Sequence, residues 1–411
     1  MAGPLHGIRI LDLTRILAGP WATQNLADLG AEVIKIEKPG SGDDTRQMGP
    51  PFMRDAQTGA DADAAYFFAA NRNKESVALD IATPEGRKLV CALAAKCDVL
   101  IENYKVGGLA RYGLDYATLH AELPDLIYCS ITGFGQTGPY RQRAGYDYLI
   151  QGMGGLMSVT GERDDRPGGG PQRAGVALAD ILSGMYATVA ILAALRHRDA
   201  GGGGQHIDIA LLDTQVAVLA NQGMNYLTTG KAPVRTGNGH PNIAPYQSFP
   251  TSDGFMILAV GNDAQFVRMS IAMGRPEIGT DARFRTISDR VANYAALIPL
   301  LESITRTRSL DEWVAAMEAV DVPCGPINSI DRVFADPQVQ ARGMRLSLAH
   351  SKSGQVPSIA SPMRLSESPV EYRFAPPQLG EHTTGVLQRI LGLDEAALAS
   401  LEQQKVIGRI A

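Results

Sequence analysis

The feature that most constrains how this chain folds is a repeated alternation of short apolar strands and helices within its first 132 residues. A strand, a glycine-containing turn, a helix and a second strand follow one another from residue 7 onward, which is the order of a βαβ unit. Repetition of this unit predicts an α/β fold in which helices cover a parallel sheet. The predicted strands are 7–13, 31–36, 98–101 and 126–131, and the predicted helices are 21–29, 84–95 and 116–122.

A change of pattern after the four glycines at 201–204 predicts a second, smaller domain. Residues 211–227 predict a helix that leads away from the first domain. Further on, Asp253-Gly254 separates two apolar runs, which is a hairpin signal. The sequence therefore predicts a large Rossmann-like domain that begins with residues 1–227 and a small α+β domain over residues 228–325.

Composition and charge exclude several classes of function. The chain carries 38 Lys and Arg against 43 Asp and Glu, a net charge of −5, so it has no basic excess for non-specific binding of nucleic acid. Its four cysteines lack the spacing of metal ligands, and we predict reduced thiols in a cytoplasmic protein. The longest apolar stretch, residues 181–195, is too short to cross a bilayer and predicts a buried helix, so we predict no membrane partner.

The turn that follows the first predicted strand, Arg15–Pro20, lies where doubly wound sheets bind nucleotides. Glu37 ends the second strand, roughly where dinucleotide-binding folds place a ribose-binding acid, but the glycine fingerprint of such folds is missing. The sequence therefore gives little support to an NAD enzyme. Several basic residues also follow strands or turns, and they either converge on the carboxyl edge of the sheet or simply face solvent: Lys38, Arg72, Lys74 and Arg111.

One carboxylate, Asp180, lies in an otherwise apolar helical stretch over residues 173–186. Small residues surround it in the sequence and leave room for another molecule beside the carboxylate. Near a helix N-terminus the dipole is expected to keep such an acid ionised, ready to act as a nucleophile. An ordinary acid of a first helical turn is the alternative interpretation.

Six motifs that succeed one another along the chain resemble those of one known family. They are Arg15–Pro20, Glu32–Asp43, Asn71–Lys74, Gly133–Pro139, Ala144–Asp147 and Gly175–Tyr186. In this order they resemble the class III CoA-transferases, the family that contains formyl-CoA transferase, carnitine CoA-transferase and the α-methylacyl-CoA racemases. The resemblance extends over nearly the whole chain, to about Thr383.

The resemblance implies a catalytic residue, substrates and an architecture. Asp180 falls on the catalytic aspartate of the family, acyl-CoA and small carboxylic acids are the implied substrates, and no metal is required. Each protomer is implied to be a ring of a large and a small domain, with residues 326–411 returning to complete the large domain, and two protomers interlock as a homodimer. The residues implied to line the CoA site are Arg15, Ile16, Lys38, Lys74 and Arg111, and those of a glycine loop over the active site are Gly237, Gly239 and His240.

The family contains racemases as well as transferases, and residue 146 separates the two. The racemases carry a histidine where this chain has Tyr146, and tyrosine, with an ordinary pKa near 10, is a poor replacement for a histidine base. We therefore predict a transferase in which Tyr146 and Asp147 shape the pocket around Asp180. The alternatives are a racemase and a CoA-binding partner subunit without catalytic activity.

Within the family, the chain resembles the succinyl-CoA:glutarate type of transferase, which moves CoA between dicarboxylates. The residues that carry this finer resemblance include Asp43–Arg46, Cys129–Pro139 and Pro245–Gln247. A dicarboxylate brings a second negative charge, which requires a cation in the pocket. The candidates for this cation are Arg46, Arg143 and His240.

Overall fold

A computed structural model describes residues 3–409 of the chain. The strands are β1 (Arg9–Asp12), β2 (Glu32–Glu37), β3 (Phe52–Arg54), β4 (Asp61–Ala64), β5 (Lys74–Leu79), β6 (Val99–Glu102), β7 (Ile127–Thr132), β8 (His206–Ala210), β9 (Tyr246–Pro250), β10 (Phe255–Ala259), β11 (Cys324–Pro326), β12 (Arg345–His350), β13 (Gly354–Ile359) and β14 (Ile407–Gly408). The helices are α1 (Ala18–Asp28), α2 (Ala65–Phe68), α3 (Pro84–Ala94), α4 (Tyr116–Glu122), α5 (Asp147–Met153), α6 (Leu156–Val159), α7 (Leu178–Asp199), α8 (Leu211–Ala217), α9 (Ala220–Thr229), α10 (Asp263–Ala272), α11 (Pro276–Thr280), α12 (Ile287–Ala292), α13 (Tyr294–Thr305), α14 (Leu310–Glu318), α15 (Ile330–Ala335), α16 (Pro337–Ala341), α17 (Thr383–Leu391) and α18 (Glu395–Gln403).

The described residues form two compact units. The sheet unit comprises residues 3–156, 174–223 and 338–409, and the small unit comprises residues 157–173 and 224–337. Residues 157–173, which the sequence analysis assigned to the first domain, belong to the small unit. The chain thus leaves the sheet unit twice, and it re-enters the first time immediately before α7.

The sheet unit is built on a seven-stranded sheet with the order β14-β5-β2-β1-β6-β7-β8. Six neighbouring strands are parallel, which confirms the predicted α/β class, and β14 alone runs antiparallel against β5. Because β14 lies at the edge beside β5, the last described residues complete the sheet that the first residues begin. The predicted strands and helices before residue 132 are each present to within a few residues.

Successive side chains on each strand point to opposite faces, and both faces are buried. Ile10 of β1 packs in a core shared with α1 and α7, while the next residue, Leu11, packs in a core shared with α3, α17 and α18. The near-continuous apolar runs that predicted the strands follow from this double burial. The carboxyl ends of the strands are left free to carry functional residues.

The long helix α7 contains the apolar stretch that was predicted to be too short to cross a membrane. The helix itself has 22 residues, and within residues 3–409 it is long and apolar enough for a membrane span by length and composition alone. Its side chains nevertheless pack as those of a core helix, because Ala187, Ile191 and Leu195 lie in the same core as α1 and the sheet. The prediction of a buried helix therefore holds for one face of α7, while its other face is exposed in the single chain, and the helix is longer than expected.

Two stretches differ from the prediction. The single helix expected over residues 211–227 is broken into α8 and α9, because Ala220, at the start of α9, adopts a positive φ of 46° that cannot continue the helix from α8. In the C-terminal part the sequence pattern indicates irregular structure from about residue 334 and one short helix near residues 383–391, yet the chain also contains the hairpin β12–β13, the helix α18 and the edge strand β14. A strand of two residues is too short for a hydrophobic period to show.

The small unit has a core of its own around the buried Trp313, whose indole N–H donates to the carbonyl of Thr305 at 2.7 Å. Its sheet has the order β11-β10-β9, and the predicted Asp253-Gly254 hairpin joins β9 to β10. A capping box in which Ser309 and Glu312 exchange hydrogen bonds begins α14. These features give the small unit the mixed helix and strand content that was predicted.

The pairing of β14 predicts a large contribution of Ile407 to stability. Its side chain is 2% exposed and packs against β5 and α17 in the second core of the sheet unit. We expect Ile407→Ala to lower the free energy of unfolding by about 2–5 kcal/mol, because it leaves a cavity. Urea unfolding followed by circular dichroism measures the loss. Ile359→Ala is the matched control, since that strand residue is 60% exposed; equal losses in both variants would contradict the assignment.

Candidate active site

The predicted nucleophile, Asp180, is the third residue of α7 and lies in the sheet unit. The segment Ala174–Ala177 leads into the helix, and Asp180 is half-buried. Ser183, one turn further along α7, is fully buried, and its hydroxyl has no hydrogen-bond partner in the described part of the chain. Within residues 3–409, no hydrogen bond to the carboxylate of Asp180 stabilises its charge.

A second carboxylate, Asp147 at the start of α5, caps the helix that carries Asp180. The N–H of Ala179 donates to Asp147 Oδ1 at 2.9 Å, and the N–H of Asp180 donates to the same atom at 3.4 Å. Asp147 thus occupies the positive end of the α7 dipole from a different helix. The structure brings the two predicted acids, Asp180 and Asp147, together. The carboxylate that binds the N–H groups at the start of α7 is that of Asp147 and not that of Asp180.

Burial and the neighbouring charge of Asp147 raise the pKa of Asp180 to about 7. Tyr66 on α2 also faces this pair, and burial together with the charges of Asp180 and Asp147 raises the pKa of its phenol. The helix dipole was expected to keep Asp180 ionised, but burial and the like charge of Asp147 favour its protonated form, so that the carboxyl group changes its protonation state near neutral pH.

Close packing of two glycines places the Tyr146–Asp147 segment beside the end of β7. A Cβ atom added to Gly133 would lie 2.5 Å from the Cα of Gly145, so the two backbones approach more closely than side chains allow. Tyr146 precedes α5, and its side chain is 70% exposed. The two sequence motifs Gly133–Pro139 and Ala144–Asp147 therefore pack against each other through the backbones of Gly133 and Gly145.

The turn after β1, predicted to contact CoA, contains a strained residue. Ile16 has a φ of 71°, which is rare for a β-branched residue and is frequently found at functional sites. Its N–H donates to Asp43 Oδ1 at 3.2 Å, and the N–H of Arg15 donates to the side chain of Asn103 at 2.9 Å. Two side chains from other loops thus hold this turn in its unusual conformation.

A buried ion pair between Lys35 and Asp43 stabilises the same turn. The ammonium group of Lys35 donates to Asp43 Oδ2 and to the carbonyl of Thr14, both at 2.8 Å, and both charged side chains are inaccessible to solvent. Burial alone would raise the pKa of Asp43, but Lys35 and the hydrogen bonds of Thr45 lower it to about 2. Asp43 therefore stays ionised and acts as a fixed acceptor for the N–H of Ile16.

Two of the predicted binding cations are buried in the interior. The ammonium group of Lys74 is fully buried, lies 3.3 Å from Asp12 Oδ2 and donates to the carbonyl of Pro20 at 3.0 Å. Burial lowers the pKa of Lys74 to about 7, although Asp12 opposes this effect. Arg46 forms a two-point ion pair with Glu37. Because their charged groups are already bound inside the fold, we do not propose Lys74 as a CoA contact or Arg46 as the cation for a second carboxylate.

The remaining predicted cations of the sheet unit are exposed. Arg15 pairs with Asp44 at 2.9 Å, and the guanidinium of Arg111 lies 4.5 Å from the ring of Tyr112. Lys38 is exposed directly after β2. Arg143 stacks on Tyr140 at 4.6 Å, and among the described residues no carboxylate lies within ion-pair distance of it. These side chains are available to an anionic ligand.

The predicted glycine loop lies in the small unit. Gly237 adopts a φ of 62° and lies against Glu162, while Asn238 donates to the Ser248 hydroxyl at 2.9 Å. The ring of His240 lies 5.3 Å from that of Tyr246. The loop is thus held by contacts within its own unit, and its placement over Asp180 stays a prediction of the resemblance.

Lys35 and Gln151 contact site residues but were not identified as candidates from the sequence. Gln151 lies one turn after Asp147 on α5 and is bonded to it, and Lys35 anchors Asp43. The i, i+4 spacing of Asp147 and Gln151 was a usable signal, since residues so spaced share a helix face. A lysine in the middle of an apolar strand was a second signal, because a buried ammonium group needs a carboxylate partner.

Comparison with known proteins shows the family of the chain. The profile of "CoA-transferase family III" matches residues 5–383, and the chain belongs to this family. It is therefore a CoA-transferase. Among similar proteins is a succinate–glutarate CoA-transferase of Agrobacterium fabrum, which is 52% identical over 96% of this chain and 97% of its own length.

Two further proteins illustrate how far the similarity extends. The succinyl-CoA:glutarate CoA-transferase of Homo sapiens is 42% identical over 98% of this chain and 90% of its own length. The crystal structure of a CaiB/BaiF family protein from Brucella suis superposes with a TM-score of 0.83 at 51% identity, covering 95% of this chain and all of that one. The large parallel-sheet α/β architecture is shared with that structure.

The raised pKa of Asp180 predicts a stability effect that depends on pH. The folded protein holds a proton on Asp180 up to about pH 7 that the unfolded chain releases near pH 4, so ionisation of Asp180 destabilises the fold as pH rises through this window. We expect Asp180→Asn to raise Tm at pH 8.5 clearly more than at pH 5. Asp199→Asn, at the exposed end of the same helix, is the control and should shift Tm equally at both values. Equal shifts for Asp180→Asn would show that its pKa is ordinary.

Proposed function

We propose that this enzyme transfers CoA from succinyl-CoA to a dicarboxylate such as glutarate, with Asp180 as the nucleophile. The observation that carries the mechanism is the carboxylate of Asp180, which lies near Asp147 in the first turn of the helix that Asp147 caps, in a member of CoA-transferase family III. The names of the relatives from Agrobacterium fabrum and Homo sapiens support the choice of succinate and glutarate.

The proposed reaction has two symmetrical halves. The Asp180 carboxylate attacks the thioester carbonyl of succinyl-CoA, which gives a succinyl-aspartyl anhydride and CoA thiolate. The thiolate attacks the aspartyl carbonyl, which releases succinate and leaves an aspartyl-CoA thioester. Glutarate then attacks this thioester and forms an aspartyl-glutaryl anhydride, and the thiolate attacks the glutaryl carbonyl. The products are glutaryl-CoA and the free carboxylate of Asp180.

A carboxylate nucleophile suits this reaction because its anhydride keeps the acyl group activated, whereas a serine ester would not. Only the ionised form of Asp180 attacks, so we expect kcat/KM to rise with pH through about 7. The N–H groups of Ala179 and Asp180 already donate to Asp147. The oxyanion that forms on the substrate must therefore be stabilised by donors other than these two.

The exposed cations of the sheet unit support the proposed site for CoA. Lys38 and Arg15 follow β2 and β1, and Arg111 follows β6, so all three come after the carboxyl ends of neighbouring strands. Open α/β sheets bind ligands at this edge. The strained turn at Ile16 brings backbone to the same edge, and we propose that these groups bind the phosphates and the pantetheine arm of CoA.

We also propose that the active form is an interlocked homodimer of ring-shaped protomers, as the family resemblance implies. The support is an apolar surface on α5 and α7 that solvent reaches in the single chain: Tyr148, Met153, Tyr186 and Val189. Apolar side chains grouped in this way commonly mark an interface between proteins.

The first test of the function is the exchange of CoA followed by mass spectrometry. The enzyme is incubated with succinyl-CoA and an equimolar pool of free acids, and we expect glutaryl-CoA to appear. Asp180→Ala should lower the rate by a factor of about 10⁴ or more, because it removes the nucleophile. Asp199→Ala, on the same helix, is the control and should retain the full rate. Exchange that persists in Asp180→Ala would disprove the mechanism, and solvent deuterium in a 2-methylacyl-CoA would indicate a racemase.

A second test concerns the cation that binds the distal carboxylate, for which we propose Arg143. We expect Arg143→Ala to raise the KM for glutarate by about tenfold and to leave the KM for pentanoate unchanged, because only glutarate carries the second charge. Arg141→Ala, an exposed arginine two residues earlier, should change neither value. An unchanged KM for glutarate in Arg143→Ala would remove Arg143 from the site.

A further inference from the structure

A buried glutamine connects the two carboxylates to the segment that carries the nucleophile. Gln151 on α5 is 0% exposed, and each polar atom of its side chain is bonded. Its Nε2 donates to Asp147 Oδ2 at 2.7 Å and to the carbonyl of Val176 at 3.4 Å. Its Oε1 accepts the N–H of Ala174 at 2.9 Å, at the point where the chain re-enters the sheet unit.

The two carboxylate oxygen atoms of Asp147 accept hydrogen bonds from different partners. Oδ2 accepts from Gln151, and Oδ1 accepts from the first turn of α7. A carboxylate held by three N–H donors has one fixed orientation, and the donors offset part of its charge. Loss of the Gln151 donor would free Oδ2 and expose Asp180 to more of the charge on Asp147.

We propose that Gln151 is a positioning residue for the transferase reaction: it fixes Asp147 and the 174–176 segment, and through them the orientation and proton affinity of Asp180. The inference rests on the proposed role of Asp180 as the nucleophile. Asp147 from α5 and Tyr66 from α2 are the titratable groups of the sheet unit that face Asp180. Gln151 acts on the first of these and does not touch the reacting atoms.

The experiment compares two variants that separate the bonds of Gln151. Gln151→Met removes all of them at similar volume, whereas Gln151→Glu keeps an acceptor for Ala174 and replaces the donor to Asp147 by a negative charge. We expect both to lower kcat by about 10- to 100-fold, with the KM for succinyl-CoA within twofold. The acid limb of the kcat/KM profile should move to higher pH by half a unit or more, and further in Gln151→Glu than in Gln151→Met.

The pH at which the acid limb lies does not depend on the amount of folded enzyme, so it can be measured even when part of the variant misfolds. If Gln151→Met does not fold, Gln151→Glu alone tests the inference. Gln215→Met is the control, because Gln215 is a buried glutamine on α8 of the same unit; its acid limb should match the wild type. Acid limbs at the wild-type position in both Gln151 variants would overturn the inference. Asp180→Ala is assayed alongside, since activity in that variant would overturn the proposed function instead.

Discussion

The ion pair between Lys35 and Asp43 is the interaction on which the carboxyl edge of the sheet depends. It lies between β2 and the turn after β1, with both charges removed from solvent. A buried pair of this kind contributes little net stability, because desolvation offsets most of the attraction, but breaking one partner is costly. Its effect here is geometric: Asp43 remains ionised and holds the N–H of Ile16, so a strained turn keeps a single conformation.

The proposed nucleophile, Asp180, has the opposite electrostatic surroundings from Asp43. Lys35 compensates the charge of Asp43, whereas the charge that acts on Asp180 is the like charge of Asp147. Asp43 therefore stays ionised and accepts hydrogen bonds, whereas Asp180 changes its protonation state near neutral pH. Two acids whose surroundings push their pKa values apart commonly divide structural and chemical roles between them. A moderately basic carboxylate is also the better nucleophile, which is consistent with the proposed attack on a thioester.

Much of the fold and the carboxylate of Asp180 were predictable from local patterns in the sequence, and Asp147 was predicted through the family resemblance. The strands stand out as near-continuous apolar runs, and Asp180 stands out in an apolar helix. Lys74 was predicted either to converge on the carboxyl edge of the sheet or to face solvent. Its burial was not predictable, because its partner Asp12 is remote in the chain and no local pattern shows that pairing. The pKa of Asp180 was misjudged for the same reason, since Asp147 approaches only when α5 packs beside α7.

The pairing of β14 with β5 has a consequence for how the protein is made. Ile407 pairs with Leu79, so the ribosome must synthesise almost all of the described chain before the exposed edge of β5 acquires its partner. During that time the edge offers unpaired N–H and carbonyl groups to any other nascent strand, which is a recognised route to aggregation. Premature termination before residue 382 would remove β14 together with the hydrogen bonds of His382 and Thr383 to β5, and it would leave this edge open even though Asp180 and Asp147 are present.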